Sequence, residues 1–191
     1  MNFYQNGIII QDLQKPTKYA DKFKYVGVNA FHQYPLCGIN DDECKELTKN
    51  LFSVKDKDGF YYEINFITDF DFAQRYINVC WKYNLPIRVL FIESTYFSEI
   101  WKGTIPVKTF LGFEYCEIPF DSQVITDLNC FDLFQKSITK LNSNGLFENT
   151  DDVLEFQNEY DIALQNNLIG DGDMDTFICK VYEVDQEVFK L

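Results

Sequence analysis

Two hydrophobic periods alternate along this chain, and the clearest change from one to the other falls between residues 60 and 92. Phe60-Tyr61-Tyr62-Glu63-Ile64-Asn65-Phe66-Ile67 reads as a strand, being rich in aromatic and β-branched residues. Thr68 follows as an N-cap candidate, with Asp69 and Asp71 in the first turn. Phe70, Ala73, Tyr76, Ile77 and Cys80 then recur at helical spacing until Asn84 and Pro86 stop the helix. Ile87-Arg88-Val89-Leu90-Phe91-Ile92 reads as a buried strand. The whole segment has the length of a right-handed crossover and predicts one βαβ-like unit over about 60–92.

The remaining elements follow from shorter signals. Residues 7–10 and 24–29 pattern as short strands, and Asp41-Asp42-Glu43 opens a helix running to about Asn50. Asp58-Gly59 is a turn signal that joins Leu51-Phe52-Ser53-Val54 to the strand from Phe60 as a hairpin. Val107 to Ile118 predicts a strand with Gly112 as a bulge. Val124, Leu128, Phe131, Phe134, Ile138 and Leu141 keep a helical stripe, predicting a helix over about 123–142. Asn149-Thr150-Asp151-Asp152 caps a second helix, about 150–166, and Thr176 to Val184 is the final strand. Together these predict an α+β (or mixed α/β) fold: a single layered domain over 1–191 with a mixed sheet and no repeat or linker dividing it.

Composition narrows the class. At 191 residues the chain can bury a core without a disulfide or metal. Met1 to Pro16 carry one short apolar run, Ile8-Ile9-Ile10, shorter than a signal-peptide core, so the six cysteines are expected to be reduced and the chain cytoplasmic. No stretch approaches the roughly 20 apolar residues of a membrane span. The 19 Phe and 12 Tyr, with abundant Ile, Asn and Lys, match AT-rich coding, as in a low-GC bacterium or its phages.

Charge changes the picture most. Of the net −13, residues 1–95 hold 12 acids against 11 bases, whereas residues 96–191 hold 18 against 6. Residues 141–191 alone hold 12 acids against Lys180 and Lys190. Phe147, Val153, Leu154, Phe156, Tyr160, Leu164, Phe177, Ile178, Val181, Tyr182, Val184 and Phe189 lie in the same stretch, so it is expected to fold rather than form a disordered tail. Such a face repels nucleic acid and anionic lipid and attracts a basic protein partner.

On the predicted helix, Glu148, Asp152, Glu155 and Glu159 fall within about a 60° arc beside Phe156 and Tyr160. These six are the candidate partner-binding residues, the carboxylates steering and the aromatics supplying contact area. If the carboxylates pair internally instead, lysines of the near-neutral N-terminal half are the expected source.

Other chemistry is sparser. Asp171, Asp173 and Asp175 alternate as a calcium loop begins, but Thr176 stands where such a loop needs Gly and Tyr182 where it needs Glu, so a turn is expected and no metal. His32, the only histidine, with Cys37, is what any catalytic reading must use; Cys44 completes a spacing too loose for a zinc site. Neither a dinucleotide fingerprint nor a phosphate loop occurs, and no cofactor is expected. Lys15, Lys18, Lys22 and Lys24, with Tyr19, Phe23 and Tyr25, form one basic aromatic patch against an otherwise acidic chain. The expected function is a non-enzymatic acidic binding or inhibitor protein, immunity-like or counter-defence-like. The alternatives are a small hydrolase or transferase built on His32 with Cys37 or a nearby acid, and a structural or assembly subunit.

Overall fold

Ile8, Ile9 and Ile10 are each almost wholly buried, and successive residues of a strand point to opposite faces, so the sheet that holds them is covered on both sides. A computed structural model describes residues 1–13, 35–36, 38–49, 53–55, 61–63, 67–98, 100–117, 121–122, 133–169 and 175–190. Within them the elements are β1 (Tyr4–Asp12), α1 (Asp42–Lys49), β2 (Ser53–Lys55), β3 (Tyr61–Glu63), α2 (Phe70–Lys82), β4 (Ile87–Ser94), β5 (Lys108–Glu117), β6 (Asp121–Ser122), α3 (Gln135–Ile138), α4 (Thr150–Gln165), β7 (Thr176–Val184) and a closing 3-10 turn (Gln186–Phe189). The expected α+β class is what forms. A five-stranded sheet has the order β1-β4-β7-β5-β6, and β2 with β3 makes a separate two-stranded sheet.

Every ladder between these strands is antiparallel, which corrects the expected mixed sheet. The 60–92 unit forms only in part: its helix and second strand are there, but β3 lies in the separate sheet and, among the described residues, Ile67 alone of the expected first strand bridges to β1. β3 pairs with β2 as the predicted hairpin, Ser53 opposite Glu63. The chain then meets the outer edge of β1 at Ile67, through two backbone hydrogen bonds with Ile8 of 2.8 and 2.9 Å. It continues through α2 and returns as β4 on the other edge of β1. Ile67 runs antiparallel to Ile8 and so in the same sense as β4, with β1 inserted into the crossover. An apolar run such as Ile8-Ile9-Ile10 is stabilised by neighbours on both edges, and the insertion provides them.

α2 starts one residue later than expected. Asp69, rather than Thr68, caps it by accepting from the Phe72 N–H at 3.0 Å. Asn84 ends it in the left-handed conformation at φ 54°. α4 is capped as read, Asn149 accepting from the Asp152 N–H at 2.9 Å. Of the expected 123–142 helix, residues 133–142 are described, and there the helix ends as the short α3 at Ile138, before the expected end at about 142. Beyond it Asn142 folds a tight turn, its Oδ1 accepting from the Asn144 N–H at 2.8 Å and its Nδ2 donating to Leu111 O at 2.8 Å. Residues 24–29 and 123–132 lie outside the described residues.

Register places both long helices on one face of the sheet. Phe91 is opposite Tyr182 and Tyr115 opposite Ile178, so Phe91, Tyr115, Ile178 and Tyr182 share a side. Over its β1/β4 half pack Ala73, Tyr76, Ile77 and Cys80 of α2, with Leu47 of α1. Over its β5/β7 half pack Val153, Phe156, Tyr160 and Ala163 of α4. The reverse face buries Ile9, Leu90, Ile92, Cys116, Phe177, Cys179 and Val181 beneath Phe97 and Leu146. The bulge expected at Gly112 is there, the β5–β7 register shifting between Phe110 and Gly112.

Candidate functional site

The inward stripe of α4 decides the fate of its aromatic residues. Val153, Phe156, Tyr160 and Ala163 recur at helical spacing, and burying that stripe takes Phe156 to 0% and Tyr160 to 4% exposure. Their rings stand edge-on to Tyr115, with centroids 5.7 and 5.4 Å away. This corrects the expectation that Phe156 and Tyr160 offer contact area to a partner: they hold α4 to the sheet.

The carboxylates flanking the stripe meet α3 and the turn after it. Lys136 donates to Glu155 Oε1 at 2.8 Å, Lys140 pairs with Glu155 Oε2 and with Asp152 Oδ1 at 2.9 Å, and Ser137 donates to Glu159 at 2.6 Å. Hydrogen bonds from Lys136 and then Lys140 hold the Glu155 carboxyl down at about 2, and Lys140 lowers that of Asp152. The same bonds raise both ammonium groups. The ridge formed by Asp152, Glu155 and Glu159 is therefore largely closed within the molecule. Its cations come from the acidic half of the chain, not from the N-terminal half. Glu148, Asp151 and Asp161 stay exposed.

A second acidic feature, which sequence reasoning missed, surrounds the end of β7. An open depression of about 790 Å³ is lined by Trp81 of α2, Thr109 of β5, and Glu183, Asp185, Glu187 and Lys190. Arg88, nearly buried, grips Glu183 with two hydrogen bonds of 3.0 and 3.4 Å. Asp185 caps the closing turn by accepting from the Glu187 N–H at 3.0 Å, and Glu187 pairs with Lys190 at 2.6 Å. Glu183-Val184-Asp185-Gln186-Glu187 was the available signal, but nothing local to it points to Trp81.

The sheet face that carries both long helices also carries a half-buried ion pair. Lys108 Nζ lies 2.6 Å from Glu93 Oε1 and 4.1 Å from the ring centroids of both Phe91 and Tyr182. The Tyr182 hydroxyl donates to Glu93 Oε2 at 2.9 Å, and burial followed by this carboxylate raises the phenol's pKa. The cluster turns its polar groups on one another, which suits a structural pin.

Of the other candidates, Asp175 accepts from the Tyr96 hydroxyl at 2.9 Å. His32, Cys37, Asp171, Asp173 and the basic aromatic patch lie outside the described residues. Cys44, Cys80, Cys116 and Cys179 are buried thiols, and burial pushes Cys80 up to about 12. Among the described residues no helix is long and apolar enough to cross a membrane, and no group of three His, Cys, Asp or Glu side chains could hold a metal ion. Compared with protein-family models, curated proteins and solved structures, the chain matches none.

Proposed function

We propose that this chain is a non-enzymatic binding protein whose acidic C-terminal quarter engages a basic protein partner and blocks it sterically, as an immunity or inhibitor protein does. The observation that carries this reading is the placement of the acidic excess on ordered elements. Glu148, Asp151 and Asp161 are exposed in and just before α4, and Glu183, Asp185 and Glu187 ring the depression beside Trp81. Like charges held at fixed positions repel and work against folding, an opposition that a cationic partner relieves. In this reading the exposed carboxylates speed and orient the encounter, and Trp81 offers aromatic contact in a depression whose Glu183 and Glu187 already pair with Arg88 and Lys190.

Capture of binding proteins from the source cells at low and high salt, followed by association kinetics with the captured protein, tests the proposal. The expected partner is basic and is released as the Debye length shortens from about 10 Å at 0.1 M to about 3 Å at 1 M salt. Replacing Glu148, Asp151 and Asp161 together by Lys should slow association at least about tenfold while the fold is kept. A neutral or acidic partner held equally at both salt concentrations removes the reading.

A further inference from the structure

β5 and β7 share the longest ladder of the sheet, and on its reverse face two thiols touch. Cys116 Sγ and Cys179 Sγ are 3.5 Å apart, and both residues are fully buried. Cys116 stands opposite Phe177, so Cys179 is its diagonal neighbour two residues along and points to the same side. A disulfide needs its sulfurs at about 2.05 Å, so each has less than about 1 Å to travel. Diagonal Cα atoms in an antiparallel pair are typically about 7–8 Å apart, beyond the roughly 4.4–6.8 Å usual for a disulfide, so the two strands must draw together for the bond to form.

We propose that Cys116 and Cys179 are a redox-responsive pair, which peroxide converts into a cross-strand disulfide stapling β5 to β7. Hydrogen peroxide oxidises one thiol to a sulfenic acid and releases a water. The other sulfur displaces the hydroxyl, forming the S–S bond and releasing a second water. Two thiols lose two hydrogens and two electrons, all taken up by the peroxide. Burial makes both thiols slow to react and admits only a small oxidant, since a bulky disulfide reagent would have to place its own thiol inside the apolar cluster of Ile92, Leu146, Phe177 and Val181. The staple closes a loop across most of the acidic half of the chain, and long loops are those in which a cross-link most restricts the unfolded state.

The test is to treat the full chain with hydrogen peroxide, block remaining thiols, and map the peptides by mass spectrometry without reduction. The expected product is a Cys116–Cys179 linked peptide two hydrogens lighter than its parts. It should come with a melting temperature higher by roughly 5–15 °C, reversed by a phosphine reductant. Cys116→Ser and Cys179→Ser should each abolish both changes, and the map of the unsubstituted chain decides the matter even if a variant fails to fold. Links from either residue to Cys37, Cys44, Cys80 or Cys130, sulfinic acids at both positions without a link, or no reaction at either would each overturn the proposal.

Discussion

A Cβ added to Gly112 would stand 2.6 Å from the Cβ of Leu146 and 2.7 Å from the carbonyl oxygen of Phe147. Gly112 also holds φ at 151°, where side-chain-bearing residues are strained. The bulge and the close approach thus need the same missing side chain, because it is there that the Asn142 turn settles onto β5. Gly112→Ala should lower stability by about 3 kcal/mol, seen as a reduced urea midpoint, since strain and overpacking add. Adding Leu146→Ala should recover little, because alanine keeps the Cβ that clashes and the Phe147 carbonyl remains in the way.

Glu155 makes a pH-dependent contribution whose sign is fixed by its lowered pKa. The folded state binds fewer protons than the unfolded chain between the ordinary value of 4.5 and about 2, so this stabilisation is complete above 4.5 and is lost as pH falls to about 2. Melting temperature followed from pH 7 to pH 2 should drop less steeply across that window in Glu155→Gln than in the parent chain. The difference should shrink in high salt, since Lys136 is exposed and Glu155 and Lys140 are partly so.

Phe156 and Leu154 sit two residues apart on α4 with opposite fates, 0% and 40% exposed. Phe156→Ala should cost about 3–5 kcal/mol by leaving a cavity against Tyr115, Phe134 and Phe147. Leu154→Ala should change stability by no more than about 0.5 kcal/mol. Equal effects in denaturant titrations would contradict the helix orientation.

The Glu93–Lys108 pair, with side chains 14% and 15% exposed, should behave as a desolvated ion pair. Glu93→Gln leaves the ammonium facing a neutral amide between two rings, and a loss of about 3 kcal/mol or more is expected. The double replacement Glu93→Leu with Lys108→Met should be more stable than either single change. A double-mutant cycle in urea measures this.

What was legible in the sequence is what local chemistry controls. The Asn149 cap, the apolar stripe of α4 and the span of β7 each depend on neighbours a few residues away, and a glycine inside the strand pattern marked the Gly112 bulge although the segment that packs there, Leu146 and Phe147, is distant in sequence. The stripe also contained the correction to the expected contact residues: Phe156 and Tyr160 share its period with Val153 and Ala163, and a stripe that regular is spent on the core. What a face meets is settled by assembly, and periodicity is silent about it. Nothing near Glu155 announces Lys136 and Lys140, and nothing near Ile64 announces that β1 lies inside the crossover. Trp81 and Glu187 likewise come together only because α2 and the end of β7 share one side of the sheet.

β7 is the last strand in the chain and yet lies in the middle of the sheet, paired with β4 on one edge and β5 on the other. Thr95 and Ile178, which exchange hydrogen bonds across this seam, are 83 residues apart in sequence. During synthesis the β1–β4 pair therefore waits with the buried edge from Leu90 to Ser94 open, a template for pairing with any other strand. Contacts this distant also slow folding, because the intervening loop must close before they form. Nascent chains halted before residue 176 would accordingly carry two incomplete sheet fragments and depend on a chaperone, and the β7 segment supplied in trans is the piece that would complete them.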